Sequence, residues 1–183
     1  MDKKERLIQA ATELIREQGY EKTSVSQIVK RAGVAQGTYY LYFQKKSDLV
    51  TEIAAGILHH QLTRLQEKTP EGNLTDVIWT MIEISFDTTR ENRDLITFLY
   101  SGFAYDDRFE MWESIYRPYY EWLATRLPAS TPYSGKEELA RLIIGLIEHA
   151  SESYYLSNQQ QTDVATAKEN VRVMITRALV DIE

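Results

Sequence analysis

The chain has 183 residues, 43% hydrophobic and 26% charged, enough for one sizeable domain or a small head on a larger body, and too apolar for wholesale disorder. It contains no cysteine, which excludes a disulfide framework, thiolate metal sites and a cysteine nucleophile. The net charge of −6 is unevenly spread: residues 1–50 carry +3 and residues 51–183 carry −9, so a basic end can face phosphates while the acidic remainder is held away.

Helical periodicity runs through the whole sequence. Residues 3–18 place Leu7, Ile8, Ala11, Leu14 and Ile15 on one face, and Gly19 supplies the stop. The first 20 residues mix both charges without an apolar run, so no secretory signal is expected. Thr23 or Ser24 caps a second helix over about 24–31. Ala32-Gly33-Val34 makes a turn in which Gly33 accepts a positive φ. A short helix is expected over 35–42, and a longer one from about Lys46-Ser47 to Glu67.

This stretch has the requirements of a reading head. A helix of eight residues spans about 12 Å, the width of the DNA major groove. Gln36 and Thr38 offer groups to base edges, and Gly37 lets the backbone come close. Tyr40 and Tyr42 carry hydroxyls for phosphate oxygens. Ser24, Ser26 and Gln27 lie at the start of the preceding helix, whose free N–H groups favour a phosphate. Lys46 adds a positive charge. Ile28, Val34, Leu41 and Phe43 are expected to be the apolar packing that locks this head. Each residue taken singly also fits an ordinary surface or core position.

The pattern Ala10-Ala11, Gly19-Tyr20, Thr23-Ser24-Val25, Ile28, Ala32-Gly33-Val34, Gly37-Thr38, Tyr40, Tyr42-Phe43, Lys46 and Leu49 resembles the DNA-binding domain of the TetR family of transcriptional regulators over residues 7–50. The resemblance implies an all-α homodimer with a divergent ligand-binding body, usually a repressor released by a small molecule. Two positions depart from the family pattern. Lys45 stands where a helix-capping Ser or Asn is usual, so capping falls to Ser47 or is weaker. Val29 stands where a small residue is usual.

The expected architecture is a three-helix helix-turn-helix domain over residues 1–46 and a helical ligand-binding and dimerisation domain over 47–183, about nine helices in all. Beyond the Lys68–Asn73 connector, helices are expected over 75–90, 92–104, 107–127, 136–156 and 162–181. The apolar stripes of the last two contain Leu139, Leu142, Ile143, Leu146 and Ile147, then Val171, Met174, Ile175 and Ala178. The resemblance assigns the dimer contact to them, although the same stripes serve equally as intramolecular core. A two-fold dimer implies a palindromic operator read in successive major grooves.

The middle of the chain is rich in aromatic residues. Trp79, Phe86, Tyr100, Phe103, Trp112 and Tyr116, with Glu83 and His149 as polar handles, are candidates to line a small-molecule pocket. Aromatics at helical spacing are also ordinary core. The effector is expected to be aromatic or apolar; excess acidity beside aromatic faces adds a cationic option, and surface solubility explains that acidity equally. No cofactor, metal site or enzymatic activity is expected: no His-Glu-x-x-His, Gly-x-Ser-x-Gly or P-loop occurs. Apolar stretches such as 139–147 are too short to span a bilayer, so a cytoplasmic location is expected. The alternative function is a helical small-molecule binding protein that no longer binds DNA.

Overall fold

The computed structural model describes residues 1–69, 72–102, 109–128, 135–157 and 162–180. Among them it contains nine α-helices and no strand: α1 (Lys3–Gln18), α2 (Val25–Ala32), α3 (Gln36–Tyr40), α4 (Lys46–Lys68), α5 (Leu74–Glu91), α6 (Arg93–Gly102), α7 (Phe109–Ala124), α8 (Lys136–Leu156) and α9 (Val164–Val180). The chain divides into two compact units. One comprises Met1–Leu58 with Asp94–Tyr105, the other His59–Arg93 with Asp106–Glu183. This division falls inside α4, and a segment of the middle of the sequence belongs with the amino-terminal unit.

The first unit is organised by its caps. Asp2 and Glu5 cap α1 reciprocally, and Ser24 and Gln27 do the same for α2, each pair satisfying two otherwise unpaired N–H donors. Leu7, Ala11, Leu14 and Ile15 of α1 meet Ile28, Val29 and Ala32 of α2, and Tyr39, Phe43, Leu49, Val50, Ile53 and Leu95 complete the core. Val29 is thus accommodated in the core despite its size.

The second unit is built on α5, which packs against α8 and α9, while α7 packs on α8. Leu62 and Leu65 of α4 join Val77, Ile78, Met81, Ile82 and Phe86 of α5, Leu123 of α7, Ile143, Ile144 and Ile147 of α8, and Val171 and Ile175 of α9. No described helix is long and apolar enough to cross a membrane.

Candidate nucleic-acid interface and buried polar cluster

Gly33 ends α2 in the left-handed region, at φ 63° and ψ 42°, the backbone that lets the chain turn into α3 without a Cβ penalty. An Arg6 guanidinium from α1 fastens this turn by donating to the carbonyls of Ala32 and Gly33. Arg6 carries no signal in the local sequence pattern, because its partners lie 26 and 27 residues away. Arg31 of α2 is held to α1 through Glu17, 2.5 Å away.

α3 covers only five residues, shorter than the expected 35–42. The chain turns after Tyr40 because both Tyr42 and Phe43 donate their N–H to the Tyr39 carbonyl. This turn sends the rings of Tyr39 and Phe43, 5.4 Å apart, into the core. Burial pushes the Tyr39 phenol up to about 12, so it stays neutral.

The outward residues form one exposed set. Ser24, Ser26, Gln27, Gln36, Gly37, Tyr40 and Tyr42 are exposed and Thr38 is half-buried. Leu41 corrects the sequence reading: it is 81% exposed rather than core. Leucine is placed outside because the turn gives the two inward directions to Tyr39 and Phe43. The result is an exposed Tyr40-Leu41-Tyr42 rim.

Lys46 is placed otherwise than the sequence suggests. Its ammonium donates to the carbonyls of Tyr20 at 2.8 Å and Thr23 at 2.9 Å, and lies 3.7 Å from the Tyr20 ring centroid. Burial lowers its pKa, partly countered by Glu21. Lys46 is thus an internal clamp on the α1–α2 connection. Ser47 does not cap α4 either. The Asp48 carboxylate accepts from the N–H groups of Gln44 and Lys45, both at 3.0 Å, so Asp48 replaces the missing cap.

The expected ligand-lining residues are scattered. Phe86 is fully buried, Trp79 is exposed at 37%, and His149 is exposed. Glu83 accepts from Lys168 at 2.8 Å. Trp112 and Tyr116 are half-buried, and the Tyr116 ring stacks on Tyr120 at 5.8 Å. The Tyr100 side chain and Phe103 lie outside the described residues. The two apolar stripes are split between two roles. Leu139, Ile143, Ile147, Val171 and Ile175 are core of their own unit, and Leu146 is half-buried. Leu142 at 50%, Met174 at 61% and Ala178 are exposed.

The structure also assembles a polar cluster that the sequence pattern conceals. Gln61 of α4 is 1% exposed. Its side-chain amide donates to Ser85 of α5 at 3.0 Å and to Glu148 of α8 at 2.7 Å, and the Ser85 hydroxyl donates to Glu148 at 2.9 Å. Thr89 and Ser151 pair next to it through hydroxyls 2.8 Å apart. Glu148 keeps some exposure along its length, but its carboxyl is enclosed, and burial pushes its pKa up to about 7 against the hydrogen bonds from Gln61 and Ser85. Burial likewise raises the Tyr119 phenol. Gln61 and Ser85 lie beside the Tyr119 hydroxyl without hydrogen-bond geometry; it has no partner among the described residues, nor does the Trp122 indole N–H. Two orphaned polar atoms in one packed unit call for an explanation. Nothing in the helical periodicity marks this cluster, since its members are 24, 63 and 87 residues apart.

Residues 7–53 match the family described as bacterial regulatory proteins, tetR family, and residues 78–179 match the tetracyclin repressor-like C-terminal domain. The chain is 37% identical over 187 residues to the HTH-type transcriptional regulator YvdT of Bacillus subtilis, covering 97% of this chain and 95% of that protein. It is 42% identical over 65 residues to the fatty acid metabolism regulator protein of the same organism, a match covering 36% of this chain and 34% of that one. Its fold is similar to the crystal structure of the Bacillus subtilis transcriptional regulator FadR in complex with stearoyl-CoA, with a TM-score of 0.73 and 23% identity, covering 95% of this chain and 98% of that one.

Proposed function

Because this chain belongs to the TetR family of transcriptional regulators, we propose that it is a cytoplasmic repressor that binds a palindromic operator as a homodimer and leaves it when a small molecule occupies the second unit. The observation that carries this reading is the single exposed set around the Gly33 turn: Gln36, Gly37 and Thr38 on α3, the Tyr40–Tyr42 rim, and the Ser24–Gln27 start of α2. Hydrogen-bonding groups on a short helix suit base edges. Phenol hydroxyls and free helix N–H groups suit phosphate oxygens. Leu41 joins the set as an apolar side chain that suits a thymine methyl.

The exposed Leu142, Met174 and Ala178 support a dimer face on α8 and α9. Large apolar side chains projecting from helices whose other faces are already core are the residues a partner copy would cover.

Release follows from α4. It runs unbroken from Lys46 to Lys68, giving Leu49, Val50 and Ile53 to one core and Leu62 and Leu65 to the other. A ligand that favours a second-unit conformation with α4 shifted changes the spacing of the two heads and mismatches them to the operator. Tenfold induction needs about 1.4 kcal/mol of differential affinity.

The test is a gel shift with the full chain against duplexes selected from a random pool. Engagement of about eight phosphates predicts log affinity falling against log salt with a slope near −7. A protein that retains no duplex at any salt concentration would favour the alternative, a helical binding protein without a DNA target.

A further inference from the structure

Several carboxylates at the surface of the second unit are paired with cations. Glu83 has Lys168, Glu113 has Arg141, and Glu169 has Arg172. Glu148 is the one enclosed in the core, and it is held by two neutral donors, Gln61 and Ser85. The charged groups bearing on it are of its own sign: Glu152, one turn along α8, raises its pKa further, and no Lys, Arg or His among the described residues offsets this. From α7 it faces the phenols of Tyr116, Tyr119 and Tyr120, all held neutral by burial. From α4 and α5 it faces Gln61 and Ser85, which carry no charge.

An enclosed carboxyl without a cation is costly when ionised. An unpartnered phenol hydroxyl beside it, 2% exposed, adds a second cost. One occupant relieves both. A protonated amine on the ligand pairs with the carboxylate, donates an N–H to the Tyr119 hydroxyl, and meets the electron-rich face of Tyr116, since Tyr120 is stacked on Tyr116 and already carries the Arg141 guanidinium 4.8 Å from its ring centroid. The same helices α5 and α8 contribute Ile82, Ile84, Ile144 and Ile147 to the apolar core of the unit, chemistry that suits an apolar tail on the same molecule.

We propose that Glu148, with Tyr119, Gln61 and Ser85, is the seat for an organic ammonium group on the effector of this regulator. The proposal rests on the reading of the second unit as the effector-binding body, and it names the effector's chemistry. Gln61 and Ser85 position the carboxylate. Glu148 carries the charge that is paired. Because Gln61 lies on α4, a cation drawn to Glu148 also acts on the helix shared with the reading head.

The full-length chain should be titrated by calorimetry with three probes of one tail length: octylammonium, octan-1-ol and octanoate. The ammonium is expected to bind at least tenfold more tightly than the alcohol, and the octanoate most weakly. At pH 6, heats measured in buffers of different ionisation enthalpy should show release of close to one proton per ammonium bound; at pH 9 the release should vanish. Glu148→Gln should remove the ammonium preference and the proton release while leaving the far-ultraviolet circular dichroism unchanged. Equal binding of the three probes, no ammonium binding below millimolar concentration, or a preference that survives in Glu148→Gln would overturn the proposal. Gel shifts on the same samples keep the two readings apart: wild type and Glu148→Gln both retaining operator leaves the regulator reading in place when the ammonium seat fails.

Discussion

Gly33 and Gly37 stand four residues apart in the reading head and make opposite demands, so alanine at each gives a paired test. At Gly33 the backbone is left-handed, φ 63° and ψ 42°, which costs an alanine about 1–2 kcal/mol. A Cβ there would lie 2.8 Å from the Arg6 Nη2 atom. The guanidinium can withdraw, because it is the far end of a flexible side chain, but withdrawal weakens its bonds to the Ala32 and Gly33 carbonyls. Part of the roughly 1.5–3 kcal/mol of a charge-assisted hydrogen bond is then lost as well. Gly33→Ala is expected to cost about 2–4 kcal/mol in total. Gly37 is in the ordinary helical region, is exposed, and an added Cβ meets nothing within 4 Å. Gly37→Ala should therefore stabilise the free protein by up to about 1 kcal/mol. On DNA the sign reverses, because a methyl group then stands where backbone approaches the groove, and operator affinity should fall at least about tenfold, or ~1.4 kcal/mol. Urea unfolding by circular dichroism gives the stabilities and gel shift gives the affinities. A Gly33→Ala protein within about 0.5 kcal/mol of wild type would refute the strain argument. A Gly37→Ala protein that holds operator as well as wild type would refute the close approach of α3 to DNA.

Lys46→Met should cost about 2 kcal/mol of stability through lost bonds to the Tyr20 and Thr23 carbonyls, yet leave the salt slope of DNA binding unchanged; a slope reduced by about 0.9 would place its ammonium on a phosphate instead. Leu41→Ala, at a site 81% exposed, should change stability by less than about 0.5 kcal/mol while lowering affinity most for duplexes whose thymines carry their methyl groups, a comparison made by substituting deoxyuridine. Glu148 has a folded pKa of about 7, raised from 4.5, so its protonated form favours the fold: its contribution is complete below about pH 4.5 and lost as pH rises through 7. The loss is about 3 kcal/mol, and Glu148→Gln should be the more stable protein at pH 8, as urea midpoints at pH 5 and pH 8 would show. Leu142→Glu together with Met174→Glu should convert a dimer to monomers in sedimentation while leaving the helical signal intact, since both side chains are exposed in the single chain; unchanged sedimentation would move the dimer face elsewhere.

The sequence by itself determined the helices of the reading head, because their signals act within a few residues. The reciprocal Ser24–Gln27 cap, the apolar spacing of α1 and the glycine at position 33 all sit within one turn of what they control. Tertiary packing decided what each polar or apolar residue was used for. Whether Leu41 or Tyr39 points inward depends on where the chain reverses after Tyr40, and Lys46 finds its carbonyls 23 and 26 residues away. Leu142 and Ile143 are neighbours of the same type, yet one is exposed and the other is core, because only one face of α8 meets the rest of its unit. The Gln61–Ser85–Glu148 cluster exists only where α4, α5 and α8 meet. Periodicity reports which face of a helix is apolar, but not which distant helix will bring a hydroxyl, an amide or a carboxylate against it.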